Sequence, residues 1–195
     1  KILNQNVALK SLGIHFNVFN LIFTNDEIAA STKFKLKHFQ ANDLHRITGN
    51  QHSIQANFQH FLLSQMDSLE TFSISNWLGI EVLNLIFHAP LLKKLTLKGL
   101  HNCESTIEWN KIELHRNCCI EMLNFSDMSK SFEILRAIIN ATRNIKELFL
   151  YSINDEELNF ITAMCPKIKL IETEKCKQTV TSIRQNLVKV VCKNK

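Results

Sequence analysis

The stretch Ile145–Cys176 reads I-K-E-L-F-L-Y-S-I-N-D-E-E-L-N-F-I-T-A-M-C-P-K-I-K-L-I-E-T-E-K-C. It opens with apolar residues at Ile145, Leu148, Leu150 and Ile153, an L-x-x-L-x-L-x-x-apolar frame. Leu158, Ile161 and Cys165 follow at helical spacing, and Pro166 closes that segment. The frame then restarts at Ile168, Ile171, Thr173 and Cys176. The unit implied is a short strand, a turn, a helix and a second copy of the strand.

The same frame recurs along the chain. It appears as Leu9, Leu12, Ile14 and Asn17; Leu36, Phe39, Ala41 and Leu44; Leu69, Phe72, Ile74 and Trp77. It appears again as Leu92, Leu95, Leu97 and Leu100, and as Ile120, Leu123, Phe125 and Met128. With the two frames of the opening stretch, the starts are 9, 36, 69, 92, 120, 145 and 168, spaced by 27, 33, 23, 28, 25 and 23 residues. These spacings fall in or near the ~20–29 period of leucine-rich repeats, with one insertion between Ala41 and Ser68. The fold class expected is therefore α/β, a ribonuclease-inhibitor-like leucine-rich-repeat solenoid with parallel strands on a concave face and helices on a convex face. Strands are predicted near 9–14, 36–41, 69–74, 92–97, 120–125, 145–150 and 168–173. Leu187, Val190 and Cys192 predict a degenerate cap strand at 187–192, preceded by a shortened helix over 178–185.

The connections carry helix-period patterns. Phe58, Phe61, Leu62 and Gln65 follow i, i+3, i+4, i+7, as do Leu135, Ile138, Ile139 and Thr142. Val82, Leu85 and Ile86 form a shorter version ended by Pro90. Asp155 is expected to cap the helix that follows it, with Glu156 and Glu157 favourable to the helix dipole. An Asn at the ninth frame position, as at Asn17, suits a chain turning inward, because a buried amide satisfies backbone groups of the turn.

Composition agrees with one continuous array over residues 1–195. The chain has 45% hydrophobic residues, thirteen Phe against one Tyr, four Gly and two Pro, so aromatics are expected in the interior and no linker is evident. No apolar run reaches the ~18 residues of a membrane span, and no signal peptide is visible. The formal net charge is +5. Lys33, Lys35 and Lys37 cluster, and Lys189, Lys193 and Lys195 end the chain, but exposed aromatics do not interleave with them. No nucleic acid and no membrane is expected as a partner. Six Cys without C-x-x-C pairs read as reduced thiols of a cytoplasmic or nuclear protein. The chain begins inside its first frame, so a segment covering that end of the array is expected.

The stretch Ile153–Cys176 resembles the cysteine-containing leucine-rich repeat of F-box proteins, whose pattern is roughly L-x-x-L-x-L-x-x-C-x-x-I-T-D-x-x-L-x-x-I-A-x-x-C-P-x-L. Asn154-Asp155, Leu158, Ile161, Cys165-Pro166, Ile168 and Cys176 carry the match. Asn57–Ile74, N-F-Q-H-F-L-L-S-Q-M-D-S-L-E-T-F-S-I, is similar to the N-F-x-x-F-L-x-x-Q-x-x-S-L-E-x-L motif of insect-type members. No F-box lies within the chain. The resemblance implies the substrate-recognition region of a cullin ubiquitin ligase, with the Skp adaptor and cullin docked through an F-box outside this chain. The alternative is a stand-alone interaction or inhibitor module with no link to ubiquitin.

Chemistry is expected to be absent. His101, Cys103, His115, Cys118 and Cys119 are zinc-competent residue types, but H-x-C-x11-H-x-x-C-C is not a standard finger spacing, so no metal is expected. Cys165 has no nearby His in sequence and points into the core by its helical spacing. There is no phosphate-binding glycine loop. The chain is read as a non-enzyme without cofactors. The third, fifth and seventh frame positions point away from the core, since side chains alternate along a strand. Lys94, Lys98, Asn124, Glu147, Phe149, Tyr151, Glu172 and Glu174 are the candidate partner-binding residues. Phe149 and Tyr151 would anchor a protein partner between a basic and an acidic flank.

Overall fold

A computed structural model describes residues 8–15, 34–42, 51–75, 80–98, 112–126, 132–176 and 188–192; at 15, 51–55 and 176 it describes the backbone alone. The frame residues Asn17, Leu44, Trp77, Leu100, Met128 and Leu187 lie outside these segments, as does the helix expected over 178–185.

The protein is α/β, with one open sheet of eight parallel strands in sequence order, β1 to β8. They are β1 (Ser11–His15), β2 (His38–Asn42), β3 (Thr71–Ser75), β4 (Lys94–Lys98), β5 (Met122–Phe125), β6 (Glu147–Ile153), β7 (Leu170–Cys176) and β8 (Lys189–Cys192). Helices α1 (Gln51–Gln65), α2 (Ile80–Phe87), α3 (Phe132–Ala141) and α4 (Asp155–Met164) lie between them. Strands added one after another with helices between is an order compatible with a solenoid-like arrangement. The described part of the β4–β5 connection, from Ile112 to Glu121, contains no helix.

Each strand starts two residues after its expected frame. From the second frame to the sixth the first position is nevertheless buried: Leu36, Leu69, Leu92, Ile120 and Ile145 are fully enclosed. It sits beneath the turn leading into the strand rather than on the pleat. The second position supplies the ladder. The carbonyls of Lys10, Lys37, Glu70, Lys93, Glu121 and Lys146 each accept two N–H groups, from the second and third positions of the next frame, at 2.7–3.2 Å. This doubled acceptance fixes the register before the strand begins.

That register aligns the frames position by position. Leu12, Phe39, Phe72, Leu95, Leu123, Leu148, Ile171 and Val190 form one inward row across the sheet. Ile14, Ala41, Ile74, Leu97 and, further along, Phe125, Leu150, Thr173 and Cys192 belong to the second. Helix residues Phe58, Phe61, Leu62, Val82, Ile86, Ile138, Ile139, Leu158 and Ile161 close the core from the other side. Phe39 stands at the centre of an aromatic group, 5.5–5.7 Å from the ring centroids of Phe58, Phe61 and Phe72. The abundance of Phe is thus partly an interior feature.

Buried polar side chains satisfy the backbone where helices give way to strands. Gln65 Oε1 accepts from Leu36 N–H at 2.8 Å. Asn117 Nδ2 donates to the carbonyls of Phe87 and Ala89, and its Oδ1 accepts from Cys119 N–H. Thr142 Oγ1 donates to the Ile138 carbonyl one turn back. Thr173, the polar member of the second inward row, donates to the Tyr151 and Lys175 carbonyls. The cap of α4 differs from expectation. Asn154 is the N-cap: its Oδ1 accepts from Glu157 N–H while the Glu157 carboxylate accepts from Asn154 N–H, both at 2.9 Å. Asp155 is already inside the first turn, because only Asn154 has an acidic residue three positions on to close the box.

Replacing Asn117 with Ala takes its partner from the Phe87 carbonyl and the Cys119 N–H and leaves the Ala89 carbonyl with the Leu92 N–H alone. The expected loss is roughly 1–3 kcal/mol, read as a lower urea midpoint with an unchanged slope. At the frame's second position, Lys37 Nζ lies 2.7 Å from Glu70 and Lys146 Nζ lies 2.6 Å from Glu121. The lysine hydrogen bonds hold both carboxylates below their usual range. Such groups stabilise the fold above the unfolded carboxylate pKa, and the contribution is lost as pH falls through the folded value. A Glu70→Gln, Glu121→Gln variant should therefore be less stable than the parent at neutral pH. That gap should close on acidification through the carboxylate range in urea titrations.

Candidate binding face

Alternation along the strands puts the third, fifth and seventh frame positions on the face opposite the helices. The register then arranges them in rows. Thr71, Lys94, Met122, Glu147, Leu170 and Lys189 make one row. Ser73, Thr96, Asn124, Phe149, Glu172 and Val191 make the next. Ser75 pairs with Lys98. Tyr151 falls beside Glu174, because Leu150 pairs with Thr173 and Ser152 with Lys175. With strands ~4.8 Å apart, Lys94 and Glu147 stand about 10 Å apart across the sheet.

The eight candidate residues are therefore brought to one face. Lys94, Lys98 and Glu174 are exposed; Asn124, Glu147, Phe149, Tyr151 and Glu172 are half-buried. The face changes character along the sheet. Small polar groups occupy β3, two lysines follow on β4, and β5–β6 present Met122, Phe149 and Tyr151. Carboxylates on β7 complete it. Met122 and Leu170, both half-buried, widen the apolar centre beyond the aromatic pair.

Two features of this face were not legible in the frame. Lys175 Nζ lies 4.9 Å from the centroid of the Tyr151 ring. The neighbouring Tyr151 side chain raises the lysine above its usual pKa. Strict alternation would turn Lys175 inward with Thr173. The pleat breaks at the strand end, where Tyr151 and Ser152 are both half-buried and Ile153 is buried, so the residue opposite Ser152 emerges. The second feature is Asn124. Its Oδ1 is buried and has no hydrogen-bond partner, the sole such side-chain atom among the described residues. An acceptor left in this state costs about 1–3 kcal/mol.

No group of three or more His, Cys, Asp or Glu side chains among the described residues is arranged to hold a metal ion. His101 and Cys103 lie outside those residues. His115 stacks on His88 with ring centroids 4.1 Å apart, and Cys118 and Cys119 are exposed. Cys165 is buried, as its helical spacing implies, and burial pushes its thiol up to about 11. Among the described residues no helix is long and apolar enough to cross a membrane.

The thiols should separate accordingly under a thiol-specific alkylating reagent. Peptide mapping should show Cys118 and Cys119 modified in the native protein, and Cys165 only after urea is added. Native modification of Cys165 at a comparable rate would contradict this burial. The chain matches no protein-family model, no curated protein and no solved structure.

Proposed function

We propose that the chain is a protein-binding leucine-rich-repeat solenoid of ribonuclease-inhibitor-like form, with the open face of the sheet as its concave wall and the helices as its convex wall. The reading is supported by frames that stack in register and by a face that, among the described residues, bears no helix and has a graded charge pattern. The observation that carries the binding role is the unpartnered Asn124 Oδ1 beside the apolar cluster of Met122, Phe149 and Tyr151. A polar acceptor beside half-exposed aromatics is complemented when a partner supplies both a donor and apolar cover. Rotation of the Asn124 amide presents its oxygen to that donor. Lys94 and Lys98 then meet acidic groups of the partner, and Glu147, Glu172 and Glu174 meet basic ones.

In this reading the chain performs no bond chemistry. It holds a protein as the substrate-recognition region of an F-box protein, while an F-box elsewhere docks the Skp adaptor and cullin. Holding the substrate makes ubiquitin transfer effectively intramolecular. Support for the ligase role comes from the resemblance carried by Asn57–Ile74 and Ile153–Cys176.

The Phe149→Ala, Tyr151→Ala double variant should keep the parent's circular dichroism and urea midpoint to within roughly 1 kcal/mol while losing at least about 30-fold in affinity for its captured protein. Undiminished affinity would remove the open face from the account. Co-purification of the full-length protein with a Skp adaptor and a cullin tests the ligase role separately. Capture of a partner without them leaves the stand-alone interaction module.

A further inference from the structure

The helical layer holds a second surface, on the opposite side of the sheet from the face described above. A groove of about 570 Å³ lies between α1 and α2, within the ~300–1,000 Å³ typical of binding sites. Leu63, Met66 and Leu85 give it an apolar lining, and Asp67 and Glu81 add two carboxylates. Asn84 and His88 complete it. The two sides are matching helical stripes. Glu81 and Leu85 on α2 and His88 just past its end follow i, i+4, i+7, while Leu63 and Met66 are three apart at the end of α1 and in the turn after it.

Three observations set this groove apart. Leu63 is 56% exposed, the largest value among the exposed large hydrophobic side chains of the described residues. A leucine so bare beside other apolar groups is costly unless something covers it. Among the described residues no lysine or arginine lines the groove, although the chain as a whole carries a formal charge of +5. Both carboxylate-bearing residues, Asp67 and Glu81, are exposed rather than enclosed. The charged groups among its described lining residues are thus opposite in sign to the charge of the whole chain. They repel nucleic acid and anionic lipid, and attract a cation carried on an apolar body.

We propose that this groove docks an amphipathic, lysine- or arginine-bearing helix from a partner protein. A leucine-sized side chain packs against Leu63, Met66 and Leu85, and the cation lies between Asp67 and Glu81. A cleft between two neighbouring helices has the shape that a third helix fills, ridge into groove. The charge pattern selects a basic helix over an acidic one. This surface is independent of the open face of the sheet, and its test does not depend on that reading.

The probe is a fluorescein-labelled peptide of about 15 residues, long enough to hold a helix, with leucines at heptad core positions and lysines elsewhere. Its control is the same peptide with glutamates in place of the lysines. Fluorescence anisotropy should show saturable binding of the lysine peptide and at least about ten-fold weaker binding of the glutamate peptide. Leu63→Glu should abolish the lysine peptide's binding with an unchanged circular dichroism spectrum, since that side chain is largely outside the core. Asp67→Asn with Glu81→Gln should erase the preference for lysine over glutamate while a glutamine-substituted peptide binds as to the parent. The proposal is overturned if neither peptide saturates, if both bind equally, or if Leu63→Glu changes nothing. It is also overturned if sedimentation shows that the groove is closed by self-association that Leu63→Glu releases.

Discussion

Six backbone carbonyls, each accepting two N–H groups from the frame that follows, hold this architecture together. A single slipped residue in a parallel ladder would turn every inward side chain outward. Doubling the bonds at the second frame position locks the register one residue ahead of each strand. The apolar residue just before it, from Leu36 to Ile145, is sealed in the turn at the same point. Burial of the first position and hydrogen bonding of the second therefore act on the same short segment, and each favours the same alignment.

With register secured there, the connections are free to differ. The helix between β2 and β3 has 15 residues, that between β3 and β4 has 8, and those flanking β6 have 10 each. The sheet passes through all of them without a break in order. What each connection must supply is a way to satisfy the backbone as helix gives way to strand. Gln65, Asn117 and Thr142 do this with different side chains at nearly the same place before their frames. Asn117 serves a connection whose described part has no helix, and it clamps the chain to the end of α2 instead.

The same register composes the open face. Because equivalent positions line up strand by strand, residues some 25 apart in sequence become neighbours about 4.8 Å apart. Lys94, Met122, Glu147 and Leu170 form a row only for this reason. The face gains its charge gradient and aromatic centre from the ladder, without any loop to position them. Its imperfections fall where the ladder ends or crowds: Lys175 emerges onto Tyr151 as the pleat breaks, and Asn124 is left with an unmet acceptor.

The periodic apolar frame and the helical spacings, read alone, located the strand starts to within two residues and gave the alternation that sets inward residues apart from outward lysines, carboxylates and aromatics. Period two and period three-and-a-half are local properties, set by the geometry of one chain segment. The α4 cap was also readable, since Asn154 has Glu157 three residues on, whereas Asp155 has Leu158 there. Other features depended on which segments meet. Gln65 and Asn117 matter because they pair carbonyls and N–H groups about thirty residues away. The groove of Leu63 and Leu85 exists only where α1 and α2 come side by side. Long-range juxtaposition leaves no periodic trace in a chain, so the tertiary structure alone decided the buried polar clamps, the cover on Tyr151 and the acidic cleft in the helical layer.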